Sequence, residues 1–265
     1  MLALLAAAIA LASPPQEASA LAACRAWMKP LSYDAELTVK AVDGGLCLNG
    51  MMDKGADRLL LDALKPLDVA KPLIVVARSG GGEAAPSLTM AEALQPRTVT
   101  VIADGLCASS CADYILPAGK RRVVEADTLL LYHGGVVLDQ LNQAAPQVAE
   151  LARKDPHLDY DHAVEQDRVE INSYIARQEA LLVKEGISPS LFRWMDLINH
   201  MSPAEQRSHC PADTTIIAYP PQVLARFGLT FDSYGGPRSQ AEVDDIVRRA
   251  GRANAHICYW RDTGF

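Results

Sequence analysis

The chain has 265 residues, of which 49% are hydrophobic and 22% are charged. These proportions exclude an intrinsically disordered polymer and fit a folded protein with a sizeable core. The 25 basic and 32 acidic residues give a net charge of −7. This balance argues against nucleic acid as the main partner, because phosphate binding needs a basic surface.

The first twenty residues have the pattern of a signal peptide. Residues 2–12 form an uncharged apolar run, which is too short to span about 30 Å of hydrocarbon but suits the apolar region of an export signal. Small residues predict cleavage after Ala12 or after Ala20. We therefore expect an exported protein, periplasmic or extracellular, whose mature form is not transmembrane. A lipobox-like sequence before Cys24 makes a lipoprotein anchored at that residue the alternative.

Six cysteines behind an export signal favour disulfides over free thiols. We predict pairs that join sequence neighbours or tie down the C-terminal segment, namely Cys24–Cys47, Cys107–Cys111 and Cys210–Cys258. A metal site is the alternative, but Cys107 and Cys111 have no second ligand pair at a finger-like spacing. Neither a metal nor another cofactor is expected.

Between Leu37 and His133 short apolar runs alternate with helical patterns, which is typical of a parallel sheet covered on both faces. The pattern predicts strands over 37–42, 46–48, 72–76, 99–102 and 129–133. It predicts helices over 56–64, 86–94 and 110–116. This part of the chain is an α/β core over residues 24–136.

Residues 137–201 consist mainly of long, polar, amphipathic helices, which predict an inserted arm or lid rather than a separate domain. Residues 202–265 return to the α/β pattern and complete the core. Strands are predicted there over 214–217 and 229–231, and helices over 220–227 and 240–250.

Three features with chemical potential follow predicted strands. Ser109 and Ser110 stand where a strand turns into a helix, and free N–H groups at a helix start favour negative charge. The glycine-rich loop Ser79–Gly82 follows the preceding strand, and its backbone N–H groups could stabilise an oxyanion. His133 ends a strongly apolar strand and is a candidate general base. Together they supply the nucleophile, base and oxyanion donors of an acyl transfer.

The order and spacing of these segments resemble the proteolytic subunit of the Clp protease and its signal-peptide-peptidase relatives, in the crotonase-like (ClpP/crotonase) superfamily. The resemblance covers about 90 residues, and its segments are Leu48–Gly50, Ser79–Gly82, Gly105–Ala112, Ala118–Arg122 and Tyr132–His133. It implies an α/β fold of crotonase-like type, a ββα superhelix with a helical insertion.

The resemblance also implies the roles of the candidate residues. Ser109 is the nucleophile when the motif is aligned from Gly105, and Ser110 is the nucleophile when it is aligned from the following Ala-Gly. His133 is the general base, and the backbone N–H groups of Gly81 and Ser110 form the oxyanion hole. Asp213 is the carboxylate nearest to the position of the family's acid; Asp196, or a Ser-His dyad without an acid, are the alternatives.

The sequence thus predicts an exported serine hydrolase, a peptidase that acts on peptides or proteins. The rival prediction is a non-catalytic envelope protein that retains the fold and binds partners through its helical insertion. The same insertion predicts a homo-oligomer. An acyl-CoA enzyme of crotonase type is disfavoured, because coenzyme A is cytoplasmic and such enzymes use no nucleophilic serine.

Overall fold

A computed structural model describes residues 15–140, 146, 149–150, 153–154, 159–210, 216–251 and 256–261. The strands are β1 Thr38–Val42, β2 Gly45–Asn49, β3 Leu73–Ser79, β4 Val99–Ala108, β5 Arg121–Val124, β6 Leu129–Leu131, β7 Ile217–Ala218, β8 Ser233–Tyr234 and β9 Cys258–Tyr259. The helices are α1 Pro15–Met28, α2 Ala56–Leu64, α3 Ala84–Leu94, α4 Tyr160–Lys184, α5 Ser190–Asn199, α6 Pro203–His209, α7 Pro221–Ala225 and α8 Gln240–Arg249. A π-helix spans Cys111–Ile115.

The central sheet has the strand order β1-β2-β3-β4-β5-β8, and β6 pairs with β4 beside this path. The pair β1-β2 is antiparallel, and the other pairs of this sheet are parallel. Strand β4 pairs with β5 through Thr100–Ala103 and with β6 through Leu106–Ala108. Strand β2 is buried along its whole length, as expected for a sheet covered on both faces. The predicted mixed α/β class is therefore confirmed.

Some local predictions were wrong. No strand covers 229–231; Leu229 is fully buried in an irregular segment, and the edge strand is β8, a few residues later. A short apolar run signals burial and not a particular backbone conformation, which explains the error. The helix predicted over 110–116 is the π-helix Cys111–Ile115. Strand β5 was not predicted.

The helical insertion contributes to the main core. Its inward side chains include Leu181 and Leu182 of α4 together with Phe192 and Met195 of α5, all of them buried in that core. A buried glutamine, Gln178, joins α4 to the segment that follows β6: its amide donates to the Val136 carbonyl (2.7 Å) and accepts from the Val136 N–H (2.9 Å). The insertion is thus packed into the main core through α5 and the second half of α4.

The three disulfides of the structure are the predicted pairs, Cys24–Cys47, Cys107–Cys111 and Cys210–Cys258. They fit a protein of an oxidising compartment. Because the Cys24 sulfur is bonded to Cys47 and buried, it cannot carry a lipid, which argues against the lipoprotein alternative. In the described part of the chain, no helix combines the length and apolar character needed to cross a bilayer.

A carboxyl group is buried under the sheet edge. Asp113 of the π-helix is 2% exposed, and its Oδ1 atom has no hydrogen-bond partner among the described residues. The hydroxyl of the buried Tyr132 is likewise without a partner there. Burial raises the pKa of Asp113 well above its ordinary value, because it disfavours the charged carboxylate.

We predict that Asp113→Asn changes how stability depends on pH. An unfolded aspartate loses its proton near pH 4, whereas buried Asp113 keeps it, so the wild type loses stability as the pH rises above about 4. The slope is at most about 1.4 kcal/mol per pH unit, up to the raised pKa. Denaturant unfolding from pH 5 to 8 should therefore show the free energy of unfolding of Asp113→Asn rising relative to the wild type. The exposed Asp62→Asn variant is the control, and parallel pH profiles for all three proteins would contradict the prediction.

Candidate functional site

Ser109 follows β4 in a left-handed backbone conformation, with φ +51°. In the described part of the chain only Asp127 shares this conformation among residues other than glycine. The Ser109 N–H donates to the Leu131 carbonyl (2.8 Å), and the Ser109 carbonyl accepts from the Asp113 N–H (2.8 Å). The disulfide Cys107–Cys111 closes over the same turn. Strained backbone of this kind is found mainly at functional sites, where the surrounding structure maintains it.

His133 lies two residues beyond the end of β6, and its Nε2 atom is 2.5 Å from the Ser109 Oγ. The His133 carbonyl accepts a hydrogen bond from the Asn199 side chain (2.7 Å), which ties it to α5. The preceding Tyr132 pairs with Ile217 in an antiparallel bridge. A hydroxyl and an imidazole at this distance have the geometry of a nucleophile and its base.

Desolvation by the surrounding protein lowers the pKa of His133, and a hydrogen bond to its own backbone only partly opposes this. The imidazole is therefore neutral at neutral pH. It remains accessible at the rim of the site, because the residue as a whole is solvent-exposed. A neutral, accessible imidazole can accept the proton of the serine hydroxyl.

The hydroxyl of Ser110, the other candidate nucleophile, points elsewhere. Ser110 is buried, and its Oγ donates to the Gly82 carbonyl at 2.7 Å. This bond holds the glycine-rich loop against the start of the π-helix. Of the two serines, Ser109 is the one whose hydroxyl contacts His133.

The glycine-rich loop approaches Ser109 very closely at Gly81. Gly81 has φ +100°, and a Cβ atom there would lie 2.6 Å from the Ser109 Cβ. The Gly81 N–H, which the resemblance assigns to an oxyanion hole, donates in this structure to the Oγ of buried Ser79 (3.0 Å). The N–H group predicted to bind the oxyanion is thus already hydrogen-bonded to Ser79, within the glycine-rich turn itself. In the same turn the Gly81 carbonyl accepts from the Met52 N–H (2.7 Å).

The predicted acid, Asp213, lies outside the described residues. Its alternative, Asp196, turns to another histidine: the Asp196 carboxylate is 3.4 Å from the His200 Nδ1, and the Asp196 carbonyl lies 2.8 Å from the same atom. Among the residues that the structure describes, no carboxylate contacts the His133 ring. The described site is therefore a Ser-His pair.

No protein-family model matches the sequence. No curated protein matches it either. In the described part of the chain, no three His, Cys, Asp or Glu side chains come together in a way that could hold a metal ion.

Sequence reasoning missed two polar contacts of the site. Asn199 is 66 positions from His133, and no motif marks it as the donor to the His133 carbonyl. Ser79 belonged to the predicted glycine-rich loop, yet its hydrogen bond with the Gly81 N–H depends on the backbone conformation of that loop. Neither contact has a signal in the spacing of residues along the chain.

We predict that Gly81→Ala separates Ser109 from His133. The matched control is Gly55→Ala, because Gly55 has a similar φ of +94° and a Cβ atom added to it would meet no other atom within 4 Å. The left-handed backbone should cost each variant about 1–2 kcal/mol, and the contact with Ser109 should cost Gly81→Ala about 1–3 kcal/mol more. Denaturant unfolding measures the costs. A crystal structure of Gly81→Ala should show the Ser109 Oγ beyond hydrogen-bond reach of His133, and equal costs with an intact contact would contradict the prediction.

Proposed function

We propose that this protein is an exported serine hydrolase of Clp-protease/crotonase-like type that cleaves peptides. The observation that carries the proposal is the 2.5 Å contact between the Ser109 Oγ and the His133 Nε2, on a strained turn at the rim of the sheet. The nearby glycine-rich loop and the start of the π-helix bring backbone N–H groups to the same rim. These are the elements that acyl transfer requires.

In the proposed mechanism the Ser109 Oγ attacks the carbonyl carbon of the scissile bond while its proton passes to the His133 Nε2. The negative charge that develops on the carbonyl oxygen is stabilised by the Ser110 N–H, at the beginning of the π-helix. His133 then gives its proton to the leaving amine, and the amide bond breaks to leave an acyl-enzyme. Water attacks this ester with His133 as base, and its cleavage returns the proton to Ser109.

The Gly81 N–H joins the oxyanion hole in this proposal only after it leaves the Ser79 hydroxyl. Ser79 is fully buried, and its hydroxyl also donates to the Gly81 carbonyl (3.3 Å), so Ser79 keeps this partner when the Gly81 N–H turns toward the substrate. Substrate binding supplies the new acceptor, the carbonyl oxygen. The described conformation is then a resting state of the site.

The proposed family and export have their own support. The glycine-rich loop and the serine turn follow β3 and β4, which are neighbouring parallel strands, so both lie at the same edge of the sheet. The three disulfides support export. We place signal cleavage after Ala12, since cleavage after Ala20 would remove Glu17, whose buried carboxylate pairs with Arg121. The residues before position 15 lie outside the described part.

The second candidate is a non-catalytic binding protein with the same fold. Two observations favour it: the Gly81 N–H is occupied by Ser79, and the described residues place no carboxylate on His133. On this alternative the exposed face of α4, which carries Val169 and Val183, binds a partner or a second copy of the chain.

Labelling by a fluorophosphonate probe tests the proposal. The wild type should be labelled, and Ser109→Ala should abolish labelling because it removes the attacking oxygen. Ser110→Ala, the matched control, should keep the labelling and lose about 1 kcal/mol of stability, since the Gly82 carbonyl loses its donor. Circular dichroism confirms folding. A folded wild type that resists the probe, together with a partner captured through residues 140–200, would replace the hydrolase with the binding protein.

The pH dependence of labelling provides an independent prediction. Because the pKa of His133 is lowered, the neutral base persists below the ordinary value of 6.5, and labelling should fall to half its maximal rate below pH 6.5. Rates measured from pH 4.5 to 8.5 check this. The control is His200→Gln, an exposed histidine whose pKa is raised by its hydrogen bond to the Asp196 backbone and by Asp139. A half-maximal rate above pH 7, or a profile changed by His200→Gln, would refute His133 as the base.

A further inference from the structure

A cavity of about 580 Å³ lies between the sheet and the C-terminal segment of the chain. The sheet contributes Leu106 of β4 with Leu129 and Leu131 of β6. Helix α8 contributes Ile246, and Ile257 lines the cavity just before β9. This volume falls within the range of small-molecule binding sites, and such sites are mainly apolar.

Three residues that line the cavity are directly connected to the proposed catalytic serine or to the loop beside it. Its lining residue Ala108 directly precedes Ser109 in the chain. Its lining residue Leu131 accepts the Ser109 N–H through its carbonyl (2.8 Å). Gly80 also lines it and directly precedes Gly81, the residue that lies against Ser109. Ser109 itself does not line the cavity, but the lining residues Ala108 and Leu131 are its chain neighbour and its hydrogen-bond partner.

His133 follows the strand that lines the cavity. Side chains alternate between the two faces along an extended chain, so Leu129 and Leu131 of β6 share one face, and the same alternation continued through the bridged Tyr132 would turn His133 toward it. Burial agrees with this: Leu129 and Leu131 pack in the cluster under α8, whereas Tyr132 packs in the main core on the opposite face. A group held in the cavity would thus lie beside the Ser109–His133 contact.

The charged residues at the cavity are engaged by the protein. Arg249 forms two hydrogen bonds with Asp127, of 2.9 and 3.0 Å. Arg78 donates to the Asn49 side chain (2.7 Å) and to the Leu31 carbonyl (2.9 Å). Asp34, the other charged residue of the lining, accepts from the Ser32 hydroxyl. The rest of the lining is mainly apolar side chains of the strands and of α8.

We propose that this cavity holds an apolar group of the substrate next to the bond that is cut. The inference rests on the proposed hydrolase function and adds its specificity: the C-terminal segment, through α8 and Ile257, selects substrates with an aliphatic or aromatic group. The same chemistry is offered by a hydrophobic side chain of a peptide and by the acyl chain of an ester. Burial should favour the apolar group by about fourfold for each methylene that leaves water.

Two substrate series test the proposal. Internally quenched peptides carry Leu or Gly on each side of the cut in turn, and p-nitrophenyl esters range from acetate to octanoate. For the wild type we expect kcat/KM to rise at least tenfold in one or both series. In the peptide series the rise is from Gly to Leu on one side of the cut, and in the ester series it is from acetate to octanoate. A preference in the peptide series alone identifies a peptide as the source of the group, and a preference in the ester series alone identifies an acyl ester.

Variants of α8 locate the preference in the cavity. Ala250→Trp introduces a large side chain at an exposed lining position at the end of α8, and should remove most of the preference while acetate hydrolysis persists. Ile246→Ser removes part of the apolar wall and should weaken the preference at least threefold. The matched control is Ala241→Trp, because Ala241 is exposed on the same helix and does not line this cavity.

The outcomes separate this inference from the proposed function. Two results would overturn the role of the cavity and leave the hydrolase proposal intact. One is a kcat/KM that does not change with ester chain length or peptide side chain. The other is an equal substrate preference in Ala250→Trp and Ala241→Trp. A folded wild type that neither hydrolyses any substrate nor reacts with the fluorophosphonate probe would overturn both. Loss of the preference in Ala250→Trp, with acetate hydrolysis retained, supports the proposal.

Discussion

The hydrogen bond from the Ser109 N–H to the Leu131 carbonyl is the contact on which the site depends. It joins the end of β4 to the end of β6, so the serine turn and the residues that lead to His133 are fixed to one another. The left-handed backbone of Ser109 is unfavourable for a side chain with a Cβ atom, and this bond helps to maintain it. The disulfide Cys107–Cys111 restrains the same turn covalently.

The helical insertion stabilises the other half of the pair. Gln178 of α4 exchanges two hydrogen bonds with the Val136 backbone, and Asn199 of α5 donates to the His133 carbonyl. Both contacts act on the backbone and leave the imidazole free to move a proton. The helices that interrupt the α/β pattern thus fix the segment that carries the proposed base. The same helices provide the exposed surface on which a binding function would depend.

Several polar groups near the site are either desolvated by the protein or hydrogen-bonded to a neighbouring residue. Burial raises the pKa of Asp113, and the Gly81 N–H is bonded to the Ser79 hydroxyl. Desolvation keeps His133 neutral. In the part of the site that the structure describes, no carboxylate contacts the His133 ring, and the proposed reaction develops its charge on the carbonyl oxygen and on the imidazole. The apolar cavity beside Ser109 continues this environment toward α8.

The sequence by itself determined the α/β class, the expectation of disulfides and the residues Ser109 and His133 as candidates, because hydrophobic periodicity, cysteine number and the residues that end strands are local signals. Six cysteines allow fifteen pairings, and the tertiary structure decided that the chosen three are formed. Tertiary structure decided which serine meets the histidine. The two serines are adjacent, and only the turn of the backbone sends one hydroxyl to His133 and the other to Gly82. It also decided that Ser79 holds the Gly81 N–H, because such a contact depends on φ and ψ and not on composition.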